Sequence, residues 1–256
     1  MSSIAIRYET SVSSGYRPVL SNSDVVSGPI ASQNAGSTNL GIYYQVGGGG
    51  VNGLFHDALC GSKPGDLCPH QACLDTVNAD LVTAYDATYG AGAWKKDSAS
   101  PPDPLPLTSF LVPIPSGCSS RVGANAVAMM YSVGPDMSSE TSFSNPTGYT
   151  QIYADAMAQT AAFLAAGHAL DGLRLTMLST GIYKPRVADK AAFYAEVAGC
   201  ILDAVVAGAK AAPALAGVTV LINTNGPGGK EQTAFDTAAT KRGLSPDAAG
   251  FDVPIS

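Results

Sequence analysis

The run Gly47-Gly48-Gly49-Gly50-Val51-Asn52-Gly53-Leu54-Phe55-His56 carries the densest chemical signal in the chain. Glycine loses more backbone freedom on folding than any other residue, so four in succession are costly unless their bare backbone is used. Val51, Leu54, Phe55, Ala58 and Leu59 then recur at helical spacing, which predicts a glycine loop opening a helix. Main-chain N–H groups in such a loop approach an anion closely, and the helix start adds unpaired donors and a favourable dipole. A phosphate or diphosphate is the natural guest; a hinge or a tight turn explains the glycines alone equally well. A second glycine-containing turn, Ser179-Thr180-Gly181-Ile182-Tyr183, closes a compact apolar strand at Leu173 to Leu178 and offers donors of the same kind.

Other chemistries fit less well. Gly48-Gly49-Gly50-Val51-Asn52-Gly53 satisfies the G-x-G-x-x-G pattern, but a glycine run does so easily. A dinucleotide-binding unit also needs an acidic residue closing a second strand, and Asp57, Asp66 and Asp75 close none. Gly229-Lys230 lacks the spaced glycine and the Ser/Thr of a phosphate-binding P-loop. No G-x-S-x-G elbow is present for Ser-His-Asp hydrolysis. Cys60, Cys68 and Cys73 lie near His56 and His70, yet no C-x2-C pair occurs, and buried thiols with a loop histidine are the simpler reading than zinc. Five cysteines, odd in number, do not read as a disulfide framework.

The elements that must position these loops alternate. Ile4, Ile6 and Tyr8 start a strand; Asp24-Val25-Val26 makes another, followed by Ser27-Gly28-Pro29 as a turn and Ile30 to Ala35 as a short buried strand. Ala72 to Tyr85 reads as helix, in one piece or two, and Gly90 to Pro106 as a surface excursion around Trp94. Leu107 to Pro115 and Ala126 to Val133 are strand candidates, Gln151 to Leu170 a long helix, Ala188 to Ala209 another, and Val218 to Ile222 a final strand before a helix from Glu231. This pattern predicts an α/β fold, with helices on both sides of a mixed central sheet.

Asp24-Val25-Val26, Ile30 to Ala35, Gly47 to His56, Tyr131-Ser132-Val133-Gly134-Pro135 and Leu178 to Tyr183 occur in the order and local form of the macro domain family. The chain resembles ADP-ribose-binding macro domains, especially the branch that removes mono-ADP-ribose from proteins. The resemblance runs from Asp24 to about Asn225 and implies a three-layer α/β/α fold. It implies one domain over residues 1–256 with an enlarged insertion at about 61–115. It further implies a ligand site of Asp24, Val25, Asn34, Asn39, Gly48, Gly49, Gly50, Val51, Ser179, Thr180, Gly181, Ile182 and Tyr183. Asp24 would accept from the adenine amino group. The loop at Gly47 to Val51 would hug the distal ribose and diphosphate, Ser179 to Tyr183 would donate N–H groups from the other side, and Tyr183 would pack on the distal ribose. Two departures bear on catalysis. The family's Asn-Ala-Ala-Asn is Asn34-Ala35-Gly36-Ser37 here, with Asn39 the available substitute, and Asn52 stands where the hydrolase branch favours an aspartate. Asn34 and Asn52 are the candidate catalytic residues; neither amide is a base, so they would orient water rather than deprotonate it.

The implied activity is ADP-ribose binding with hydrolysis of mono-ADP-ribose from modified proteins or of O-acetyl-ADP-ribose. A non-catalytic ADP-ribose reader is the alternative, and a nicotinamide-dependent oxidoreductase a remoter one. No cofactor and no metal are implied. The chain has 256 residues, 46% of them hydrophobic, 13% charged, and a net charge of −6, which disfavours nucleic acid and anionic membrane as partners. With no signal-like start and no unbroken apolar run of ~18 residues, the expectation is a soluble intracellular protein, cytoplasmic or nuclear.

Overall fold

The computed structural model describes residues 3–9, 24–29, 70–94, 107–115, 117, 126–181, 184–224 and 228–255. The glycine loop from Gly47, with Asn34, Asn39, Gly48, Gly49, Gly50, Val51 and Asn52, lies outside them, as do Ile182 and Tyr183.

The strands are β1 (Ser3–Glu9), β2 (Asp24–Pro29), β3 (Ser109–Pro113), β4 (Ala126–Ser132), β5 (Gly172–Leu175), β6 (Thr219–Asn223) and β7 (Gly250–Pro254). They form one seven-stranded sheet in the order β3-β4-β2-β5-β6-β1-β7. Five central strands run parallel, and antiparallel β3 and β7 flank them at the two edges. The described helices are α1 (Gln71–Tyr89), α2 (Pro146–Ala165), α3 (Lys190–Ala211) and α4 (Lys230–Thr240).

Alternation along the strands separates the layers. Ile4, Ile6 and Tyr8 of β1, Ala128 and Met130 of β4, Leu173 and Leu175 of β5, and Val220 and Ile222 of β6 share one core with α2, α3 and α4. Helix α1 packs on the opposite face: Tyr85 and Tyr89 meet Phe110 of β3 at ring-centroid distances of 5.6 and 6.2 Å. The adjacent Ser109 faces the other way and donates to the Ile152 carbonyl of α2 (2.8 Å). The fold is therefore the expected three-layer α/β/α sandwich around a mixed sheet.

Helix starts follow local chemistry. Asn145 accepts from Gly148 N–H at 2.8 Å with Pro146 next in line, so α2 begins before the alanine-rich segment that announces it. Asp189 accepts from Ala192 N–H at 2.9 Å and starts α3. Helix α3 is long and apolar enough to cross a membrane, but most of it is buried within the protein as a core helix.

Four expectations change. Ser27-Gly28-Pro29 is not a turn: pairing with Met130, Tyr131 and Ser132 carries β2 through Pro29. Trp94 is not on the surface. The Asp86 carboxylate accepts from Gly92 and Trp94 N–H and folds the segment back, burying the indole against Tyr85. The polar tail ends as β7, whose antiparallel pairing with β1 no local pattern announces. Finally, Cys73 is disulfide-bonded and not a free thiol; one such bond needs no framework in the cysteine spacing.

Candidate functional site

Parallel strands place their following loops at one edge of the sheet, where ligands of open α/β sheets bind. Two such loops meet there. After β4 the chain passes through Val133 and Gly134; after β5 it runs through Thr176, Met177 and Leu178 to Ser179, Thr180 and Gly181. A Cβ on Gly134 would stand 2.5 Å from Ser179 Oγ and 3.2 Å from Leu178 Cβ, so the bare glycine lets the second loop lie directly on the first. Ser179 has φ 55°, the one left-handed residue other than glycine among those described. A serine there costs about 1–2 kcal/mol, which surrounding contacts must offset.

Most of those contacts hold carbonyls. Tyr153 of α2 donates to Thr176 O at 2.6 Å and accepts from Leu178 N–H at 3.0 Å. Tyr149, one helical turn earlier, donates to Leu178 O at 2.7 Å. Thr180 Oγ1 donates to Met177 O at 2.7 Å, and Tyr194 of α3 donates to Thr180 O at 3.0 Å. Lys184 N–H points at Gly181 O at 3.4 Å. Burial pushes the Tyr149 and Tyr153 hydroxyls well above the ordinary tyrosine value, so both keep the protons these contacts need.

The consequence lies in the donors. Among the described residues, no acceptor faces the N–H groups of Ser179, Thr180 or Gly181. A trans peptide points its C=O and the following N–H in opposite directions. Fixing Leu178 O on Tyr149 and Thr180 O on Tyr194 therefore turns Ser179 N–H and Gly181 N–H away from the helices. Consecutive free main-chain donors form an anion-binding concavity with no basic side chain. Gly181 is exposed, and a Cβ there would meet no atom of the described residues within 4 Å. Lys230, at the start of α4, donates to Tyr194 Oη at 3.0 Å and also lies 3.5 Å from Glu231. The contact with Tyr194 holds its ammonium above its ordinary pKa.

Ser179, Thr180 and Gly181 thus sit together in one loop. Pro29, which pairs with Ser132, leaves β2 at the same end of the sheet, five residues before Asn34. Asp24 and Val25 do not join them. Their partners are Gly172 and Leu173, the first residues of β5, which puts them at the opposite end of that strand from Ser179. Sequence reading missed Tyr149, Tyr153, Tyr194 and Lys230. The i, i+4 spacing of the first two on a helix was the available signal.

No protein-family profile and no curated protein sequence matches the chain. Solved structures do. An Oceanobacillus iheyensis macrodomain variant with ADPR superimposes with a TM-score of 0.50 at 13% identity, covering 90% of each chain. A structure of that macrodomain with ADP gives 0.48 at 13% identity, covering 90% of this chain and 88% of the other. The sheet and its flanking helices define an α/β/α fold. That fold is the macrodomain fold.

Proposed function

We propose that this protein binds ADP-ribose, with the Ser179–Gly181 loop donating N–H groups to the diphosphate. The observation that carries the reading is the hydrogen-bond accounting around the loop: tyrosine and threonine hydroxyls occupy the carbonyls of Thr176, Met177, Leu178 and Thr180, while among the described residues no acceptor faces the N–H groups of Ser179, Thr180 and Gly181. The guest of such a surface is an anion, and a chain of net charge −6 binds it through backbone rather than a basic patch. The macrodomain fold supports the nucleotide diphosphate in particular. The adenine contact assigned to Asp24 forms no part of the proposal, because Asp24 stands at the far end of β5 from this loop.

The finer half of the proposal is release of mono-ADP-ribose from a modified protein, or cleavage of O-acetyl-ADP-ribose, with Asn34 and Asn52 orienting water and the proton passing to a ligand phosphate or to solvent. It rests on the sequence. A single-turnover release assay on mono-ADP-ribosylated protein separates this activity from a reader that only binds.

Calorimetric titration with ADP-ribose, ADP, AMP and NAD tests binding. ADP-ribose and ADP are expected to bind and AMP to bind more weakly. Gly181→Glu should abolish binding and leave the thermal midpoint unchanged, since the added side chain meets none of the described residues and its carboxylate opposes the diphosphate. Undiminished affinity in Gly181→Glu would place the site elsewhere.

A further inference from the structure

One cation is wired to the loop without belonging to it. Lys230 Nζ donates to Tyr194 Oη at 3.0 Å, and Tyr194 Oη donates in turn to Thr180 O at 3.0 Å. That carbonyl shares its peptide plane with Gly181 N–H, which no acceptor among the described residues faces. Lys230 reaches the loop from the start of a different helix, the residue after Gly229. Its ammonium also lies 4.8 Å from the centroid of the Tyr194 ring. The Tyr194 ring is buried among the α3 core residues, whereas the Lys230 side chain is 54% exposed.

We propose that Lys230 and Tyr194 form a relay that strengthens and aims the Gly181 N–H toward a bound anion, with Lys230 acting through the Thr180–Gly181 peptide rather than by touching the ligand. Each link polarises the next. An ammonium donating to a phenol oxygen makes the phenol a better donor, and a donor on an amide oxygen makes the following N–H a better donor. Such chains strengthen each bond by roughly 10–30%. Planarity supplies the aim: with Thr180 O pinned toward α3, Gly181 N–H can only point outward. The arrangement also answers how an acidic chain favours a diphosphate. The positive charge is delivered as a stronger backbone donor, while the lysine stays at the side with Glu231 beside it. Both residues are positioning residues, and the inference rests on the ADP-ribose reading of the loop.

The test is a double-mutant cycle on the full chain, with Tyr194→Phe, Lys230→Met and the pair. ADP-ribose affinity is measured by calorimetry and the Gly181 amide is followed by NMR in the ligand-free protein. Tyr194→Phe keeps the buried ring, and Lys230→Met keeps the length of a half-exposed side chain. Each single change is expected to weaken binding roughly two- to tenfold, the range of one net hydrogen bond, and the double variant to bind no more weakly than Tyr194→Phe alone. The Gly181 amide proton should move upfield in both singles, a response that mere stabilisation of the fold would not give. Full additivity of the two changes would overturn the relay, since Lys230 would then act on the ligand directly. So would an unmoved Gly181 resonance in Lys230→Met. If the parent binds no ADP-ribose, the functional reading falls, and the Gly181 resonance still decides whether the relay exists.

Discussion

Two tight loops beside strands of this sheet have opposite polar accounts. In the loop after β5, tyrosine and threonine hydroxyls occupy carbonyls, and among the described residues no acceptor faces the N–H groups of Ser179 to Gly181. In the turn before β7, the Asp247 side chain accepts from Ala249 N–H at 2.7 Å and Gly250 N–H at 3.0 Å, while Asp247 N–H donates to Gly250 O at 2.9 Å. That turn spends the N–H groups of Asp247, Ala249 and Gly250 on itself. Their glycines differ in the same sense. Gly250 has φ 133° and a Cβ there would lie 2.1 Å from Ile6 O, whereas a Cβ on Gly181 meets none of the described residues within 4 Å. A glycine in a turn is thus no evidence of a binding loop; the distinction lies in which backbone groups the surrounding side chains occupy.

Three substitutions sharpen the contrast with Gly181→Glu. The largest effect on stability belongs to Gly250→Val, which drives a side chain into the β1 backbone and into a left-handed φ. It should cost roughly 3 kcal/mol or more in chemical denaturation, with what folded protein remains still binding ADP-ribose at parental affinity. A variant as stable as the parent would remove the structural reading of that turn.

Tyr153→Phe comes next and crosses the divide. Losing the hydroxyl leaves Thr176 O and Leu178 N–H unpaired in a buried place, for a loss of about 1–3 kcal/mol, and it should weaken ADP-ribose binding as well. The same variant alters the alkaline response. Because the folded protein holds the Tyr153 proton above the ordinary value of 10.0, the associated stability is intact below about pH 10 and declines as pH rises further, once the unfolded chain ionises first. In denaturation measured between pH 9 and 11, Tyr153→Phe should show a shallower decline. An identical slope would mean that other groups govern the alkaline limb.

Asp247→Ala is the smallest. Its carboxylate is exposed, so loss of its two accepted bonds should cost about 1 kcal/mol and leave ligand affinity alone. A calorimetric change in ADP-ribose binding would show that the two loops are coupled through β1 and β6.

Much of the architecture was legible because it rests on local pattern. The alternation of Ile4, Ile6 and Tyr8, the apolar run at Leu173 and the alanine-rich helices report burial through side chains spaced at 2.0 or 3.6 residues. They placed β1, β4, β5, β6, α2 and α3 within a few residues of their bounds. The order of these elements with the two glycine loops pointed to the macrodomain fold, although identity to a solved macrodomain is 13%. Ser179, Thr180 and Gly181 were named from their place at a strand end.

What the sequence alone determined, then, was most of the elements and the place of one loop along the chain, since periodicity and glycine act through sequence neighbours. Pairing between strands lies beyond that reach. Only the fold made Ser27-Gly28-Pro29 part of β2, brought Gly250–Pro254 back onto β1 across the whole chain, and separated Asp24 from the loop by the length of β5. It likewise decided that Tyr149, Tyr153, Tyr194 and Lys230 converge on the carbonyls of one short segment. Whether a main-chain N–H is spent or available depends on where its own peptide's oxygen is held, and those partners come from separate helices that only the tertiary fold brings to the loop.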